Sequence, residues 1–147
     1  MLNEELYDLD AMENEVDAEQ YIGEEILAAG HAPFLPLANS VGMEDSDIFT
    51  GAEFVAADLT IIRSLDPSKA AMVMRPGWSN GSEGAAAEYE TACELGWVVV
   101  DMESEDLQGW LQMLRDKCGP MTIYVSGKYR HLKEKLLKPE IDTNPDE

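Results

Sequence analysis

Residues 70–101 read AAMVMRPGWSNGSEGAAAEYETACELGWVVVD, and this order decides the fold. Ala70 to Met74 are continuously apolar, and Arg75 and Pro76 close the run. A short apolar run bounded by turn formers reads as a buried strand over 70–75. Pro76 to Gly84 (PGWSNGSEG) is dense in residues that turn a chain. A helix over 83–95 follows, with Ser82 as its N-cap and Gly96 just past its end. Trp97-Val-Val-Val-Asp101 is then a second short apolar strand.

The same alternation continues outward. A helical pattern runs from Val16, with Tyr21, Ile22, Ile26 and Leu27 on one side and Gly30 as its stop. His31 to Leu37 (HAPFLPL) carries two prolines and reads as a short strand at or near an edge. Residues 39–48 are polar loop. A helix over 50–65 turns Phe54, Val55, Leu59, Ile62 and Leu65 inward and ends before Pro67. Beyond Asp101, a helix over 104–117 opens at Ser104 and presents Leu107, Trp110, Leu111 and Leu114 on one face. Gly119-Pro120 breaks it. Residues 121–126 (MTIYVS) form another strand, Gly127 turns it, and a helix over 129–138 carries Leu132 and Leu136 inward until Pro139. Strands alternating with helices predict an α/β layer structure around a mainly parallel sheet. Sites in such sheets lie outside the carboxyl ends of the strands. Three segments fall there: Arg75–Glu88, Asp101–Glu105 and Ser126–Arg130.

The chain has 147 residues, which fits one domain over 1–147, with 1–14 and 140–147 as flexible or weakly ordered ends. Its 30 acidic and 10 basic side chains give a net charge of −20. That excludes a nucleic-acid polymer as partner, which demands a basic face, and a polybasic membrane anchor. No apolar run approaches the length of a membrane span, and no basic-then-apolar signal opens the chain. Cys93 and Cys118 show no metal or redox spacing and read as reduced thiols of a cytoplasmic protein. No metal site and no cofactor motif is evident. Half of the ten basic residues, Lys128, Arg130, Lys133, Lys135 and Lys138, crowd into one short stretch. It is either a phosphate-facing surface or counter-charge for residues 4–25, which hold ten acids and no Lys or Arg. From charge alone a solvated helix face fits as well.

Two places carry possible chemistry. In the first, a buried strand delivers a glycine-rich turn that opens a helix, where free N–H groups can hold an anion. Glu88 lies in the second turn of that helix, where the positive helix end favours its ionised form. It can serve as a nucleophile or as a base for water; an ordinary capped helix with a solvated Glu88 fits the same residues. In the second, Ile123 to Arg130 again runs from strand through Gly127 into a helix start. Lys128 and Arg130 can neutralise a phosphate, and Tyr124 can offer a phenol. Trp78 is a loop anchor or a platform for a base. His31 reads as structural, and the eight methionines as core fillers.

The run AAMVMRPGWSNGSEGAAAEYETACELGWVVV resembles the nucleoside 2-deoxyribosyltransferase-like superfamily. It is most similar to a branch whose members read aspartate-Ala-apolar run, PGW, Ser-x-Gly-Ala-x-x-Glu, then Ala-x-x-x-Gly. Gly30-His-Ala-Pro-Phe-Leu-Pro36 resembles the second strand of that branch, so the likeness covers roughly residues 16–101. Such proteins open with a strand bearing Tyr-x-x-Gly that lies mid-sheet. Here Met121 to Arg130 (MTIYVSGKYR) resembles that strand, near the other end of the chain. The resemblance thus implies a circularly permuted, three-layer Rossmann-like (flavodoxin-like) fold of four to five mainly parallel strands. Residues 121–126 would sit between strands 31–37 and 70–75; a domain swap is the rival explanation.

The resemblance also implies a reaction: cleavage or transfer at the N-glycosidic bond of a deoxynucleoside or its 5′-monophosphate. Glu88 matches the family's nucleophile, and Tyr124 a tyrosine near the reacting sugar. Ser82 stands where monophosphate hydrolases carry Ser, and Gly84 belongs to the same motif. Gly127 and Arg130 match phosphate-loop positions, and Trp78 falls on the PGW element. No cofactor is implied, and a homodimer or larger assembly is. Ala70 departs from the family's Asp, with Asp66 or Asp101 as substitutes, and Leu37 departs from a common His. A catalytically impaired nucleotide-binding module on the same fold is the alternative. A structural protein whose acidic N-terminal part recruits a basic partner is a third reading.

Overall fold

The structure, a computed structural model, describes residues 9–44, 51–80 and 83–127. The expected helix over 129–138 and the tail over 140–147 lie outside the described residues.

Among the described residues, four strands form one sheet: β1 (Ala32–Phe34), β2 (Ala70–Met74), β3 (Val98–Asp101) and β4 (Thr122–Ser126). Their order is β1-β4-β2-β3, and every neighbouring pair is parallel. The last strand of the described chain is therefore inserted between the first two, as the resemblance implied. Among the described residues, five α-helices accompany them: α1 (Leu9–Ala28), α2 (Pro36–Glu44), α3 (Gly51–Ser64), α4 (Glu83–Glu94) and α5 (Leu107–Cys118). None of the described helices is long and apolar enough to cross a membrane.

Alternation along each strand divides the core in two. Ala71, Val73, Val100, Ile123 and Val125 pack on one face against Ile22 and Ile26 of α1 and Leu107, Trp110, Leu111 and Leu114 of α5. Ala70, Met72, Met74 and Tyr124 pack on the other face against Ile62 of α3 and Ala85 and Ala92 of α4. The result is a three-layer, Rossmann-like α/β/α arrangement. From β1 to β2 and from β2 to β3 the chain steps the same way across the sheet, with α3 and α4 on one face. From β3 to β4 it steps back, and α5 lies on the opposite face. A single crossover hand accounts for all three connections.

Several local expectations are corrected. Tyr21 and Leu27 of α1 are 65% and 64% exposed. The buried stripe is Glu19, Ile22, Gly23 and Ile26, and positions 21 and 27 fall a helical step to either side of it. Helix α1 also starts at Leu9, inside the segment read as a frayed or weakly helical end. Of the methionines, Met72, Met74 and Met121 fill the core, whereas Met43 and Met113 are 49% and 38% exposed. Helix α5 opens at Asp106 rather than Ser104, because the Asp106 carboxylate accepts from the Gly109 N–H at 2.9 Å. His31 is structural as read. Its Nδ1 accepts from the Met121 N–H at 3.0 Å, so its Nε2 carries the hydrogen donated to the Leu111 carbonyl at 2.9 Å.

The largest correction is α2, which takes up residues 39–44 of the polar loop read over 39–48 and shortens β1 to three residues; residues 45–48 lie outside the described residues. Pro36 suits a first helical position because it has no N–H to satisfy. Leu35, just before it, has no acceptor in its side chain. The cap comes from α1 instead: buried Glu19 accepts from the Leu37 N–H at 3.1 Å and the Ala38 N–H at 2.9 Å. A carboxylate there also meets the positive end of the helix.

Glu19→Ala should lower stability by about 2–4 kcal/mol, because two amides lose a charged acceptor. Glu19→Gln should cost less, since one carbonyl acceptor survives. Urea denaturation midpoints check both. Asp66 offers a pH test. It caps the single turn Pro67–Lys69, accepting from the Ser68 N–H and hydroxyl, each at 2.9 Å. These two bonds, the backbone one foremost, hold its carboxyl below the ordinary value. A carboxyl depressed by folding contributes stability above its unfolded pKa and loses it as pH falls through the folded one. The stability gap between wild type and Asp66→Ala should therefore be present at neutral pH and close in acid, as denaturation at both pH values would read.

Candidate functional site

The carboxyl ends of β4, β2 and β3 bring Ser126, Met74 and Asp101 into one row, since Ser126 and Asp101 are both in register with Met74. One pleat earlier, Phe34, Tyr124, Met72 and Val99 form a second row on the same face. Phe34 stacks on Tyr124 with centroids 5.4 Å apart. Tyr124 and Ser126 are two residues apart on one strand, hence about 7 Å along the same face. A group lying above that strand can meet both hydroxyls.

Glu88 of α4 does so. Its Oε2 accepts from the Tyr124 hydroxyl at 3.1 Å, and its Oε1 accepts from the Ser126 Oγ at 2.5 Å. All three residues have no exposed surface. A buried carboxylate is costly unless its oxygens are paired. The sheet supplies two donors at adjacent outward positions of β4, which is what makes an acid on the inner side of α4 tolerable. Chemically, the arrangement holds a carboxylate in a fixed pose with a hydroxyl at each oxygen.

Two loops meet beside this cluster. The chain leaving β2 makes a tight turn, and Trp78 opens the one-turn segment Trp78–Asn80. The Gly77 N–H donates to Glu103 Oε2, and Trp78 Nε1 donates to Asp101 Oδ2 at 3.1 Å. Asp101 Oδ1 also accepts from the Glu103 N–H at 2.9 Å. Trp78 stacks on Tyr89 of α4 at 4.9 Å between centroids. A hydrogen bond with Cys93 holds the Tyr89 phenol above its ordinary pKa. The third segment is Gly127, whose φ of +101° suits glycine. The Ser126 carbonyl before it accepts from the Arg75 N–H at 2.9 Å, which ties the ends of β4 and β2 together.

Of the residues singled out by sequence, the structure brings Glu88 and Tyr124 together and sets Trp78, Gly84 and Gly127 around the same end of the sheet. Trp78 is held in its loop by Asp101 and Tyr89. Ser82, Lys128 and Arg130 lie outside the described residues. Asp66 cannot stand in for the missing acid at position 70. It precedes β2, at the amino end of the sheet, and its carboxylate is engaged with Ser68. Asp101 is at the correct end but is engaged by Trp78 and Glu103. Two participants escaped the sequence reading: Ser126, as the second donor to Glu88, and Glu103, as the acceptor that latches Gly77. Ser126 could have been found from the period of two, since it shares a face with Tyr124. No three His, Cys, Asp or Glu side chains among the described residues gather as a metal site.

A methyl group at Gly127 would lie 2.9 Å from Trp78 Cβ and 3.1 Å from the Arg75 nitrogen. Gly127→Ala should therefore cost about 1–3 kcal/mol, through strain at positive φ and displacement of the tryptophan turn. Denaturation would measure the loss, and tryptophan fluorescence would report the movement of Trp78.

Comparison with known proteins gives no match to a family model, to a curated protein or to a solved structure.

Proposed function

We propose that the chain cleaves or transfers the N-glycosidic bond of a 2′-deoxynucleoside or its 5′-monophosphate, with Glu88 as the nucleophile. One observation carries the reading. Glu88 and Tyr124, from two distant stretches of the chain, share a hydrogen bond at the carboxyl end of the central strand. The reaction balances as two displacements. A carboxylate oxygen bonds to C1′ as the C1′–N bond breaks, and the base leaves with the electron pair and takes a proton. Water or a second base then displaces the carboxylate from C1′. Trp78, Ser82, Gly84, Gly127, Lys128 and Arg130 are the proposed substrate-binding residues. Gly127 permits close approach to the backbone, and the two cations meet the phosphate.

The resemblance to the deoxyribosyltransferase-like superfamily supports this reading, and the strand order is compatible with a permuted member. Helix α1 leads into β1 at the amino end of the sheet, so its start and the end of β4 share the opposite end. Joining them there would place β4 first without disturbing the sheet. A homodimer or larger assembly belongs to the same proposal.

A second reading is favoured by a specific observation: Glu88 has no exposed surface. A nucleophile must reach its substrate, so attack requires the chain around Glu88 to part. Without that motion the fold binds a nucleotide and does not turn it over.

One experiment separates the two. Purified protein is incubated with dAMP, dGMP, dCMP, dTMP and the matching nucleosides, and free base is measured by chromatography. The enzyme reading expects release, and a fall on the order of 10³-fold or more in Glu88→Gln. The binding reading expects a higher melting temperature with nucleotide and no base. Neither effect would dismiss both.

A further inference from the structure

We infer that residues 76–79 form a strap that closes over Glu88, with Asp101 and Glu103 as its latch. The inference rests on the proposed role of Glu88 and names the segment that must part before a substrate reaches it. Glu88 has no exposed surface. Its carboxylate lies between α4 and β4, bonded to the Tyr124 and Ser126 hydroxyls. Trp78 touches both elements beside that carboxylate. Its ring stacks on Tyr89, the residue after Glu88, at 4.9 Å between centroids. Its Cβ lies so near Gly127, the residue after Ser126, that a methyl group there would stand 2.9 Å from it. The tryptophan turn therefore bridges α4 and the carboxyl end of β4 next to Glu88.

Two acids of a different loop hold this turn down. The Gly77 N–H donates to Glu103 Oε2, and Trp78 Nε1 donates to Asp101 Oδ2 at 3.1 Å. Asp101 Oδ1 accepts from the Glu103 N–H at 2.9 Å, which fixes one acid relative to the other. The frame beneath is tied separately. The Arg75 N–H donates to the Ser126 carbonyl at 2.9 Å, and the Met102 N–H to the Met74 carbonyl at 3.1 Å. Lifting the strap costs the two latch bonds, the Trp78 N–H bond to the Arg75 carbonyl at 3.2 Å and the ring stack, but no bond of the sheet. Gly77 suits the pivot. Its φ is +82°, and among the described residues no atom beyond its chain neighbours lies within 4 Å of an added Cβ. Bonds of exposed loops open at lower free energy than the ladder of a buried sheet, so the strap is the part of this end that parts first. A ligand that needs the open form binds more weakly by the fraction of time it is closed. The latch thus sets how often Glu88 can be reached.

The test reads access to Glu88 without any nucleotide. The full chain is treated briefly with a water-soluble carbodiimide and glycinamide, which convert a reachable carboxyl to an amide, and peptide mass spectrometry locates the label. In wild type Glu88 should label at least about ten-fold more slowly than exposed Glu24. Glu103→Ala alters an exposed side chain and should raise the Glu88 rate about three- to ten-fold, the worth of one hydrogen bond. Glu19 of α1, equally buried, should keep its wild-type rate. Gly77→Ala strains the turn at positive φ, should act in the same direction, and takes over should Glu103→Ala fail to fold. An unchanged Glu88 rate overturns the inference. So does a rise at Glu19 in step with Glu88, which marks opening of the whole fold, and so does wild-type Glu88 labelling as fast as Glu24. The base-release panel judges the glycosidic reading separately. A latch effect without base release leaves the strap standing and removes that reading, whereas base release with an unchanged labelling rate removes the strap alone.

Discussion

The structure depends on a strand from late in the chain occupying the middle of the sheet. Thr122 to Ser126 are paired with β1 on one side and β2 on the other. Without β4, β1 would have no neighbour, and the two core layers would lose Ile123, Val125 and Tyr124, all fully buried. The sheet thus cannot close until the chain has passed through β3 and α5. His31 reinforces the dependence, since its ring joins the start of β1 to the residue before β4 and to α5.

That constraint also makes the site. The Glu88 carboxylate on α4 would lose two hydrogen-bond donors if the strand beneath it were apolar on that face. β4 is apolar on one face, through Ile123 and Val125, and carries hydroxyls on the other, through Tyr124 and Ser126. Charge burial and strand placement are therefore coupled. The hydroxyls are useful only in the central position, and the position is specific partly because the carboxylate needs them. Buried polar groups that are fully satisfied are able to specify one arrangement in this way.

How far the sequence could be read follows from the range of the interactions involved. The strands, α3, α4 and the glycines that end α1 and α4 were legible because their signals are local: short apolar runs, spacing and stop residues. The meeting of Glu88 with Tyr124 was legible only through the resemblance, since nothing local links residues 36 positions apart. Helix α2 was not legible, because its cap is a glutamate on another helix, 18 residues before Leu37. Tyr21 and Leu27 were misplaced because a helical stripe read from apolar residues alone overlooks Glu19. This acid takes an inward position for its polar duty.

The charges of the chain bear on what such a site can attract. At a net charge of −20 the long-range field repels an anionic ligand, and the loops beside Glu88 add Asp101 and Glu103. Both acids are turned to internal work, however, accepting from the tryptophan turn and from the backbone. Five of the ten basic residues follow Gly127 within a dozen positions, in direct continuation of the central strand. An anion would then be held by contacts within a Debye length and not drawn in from afar.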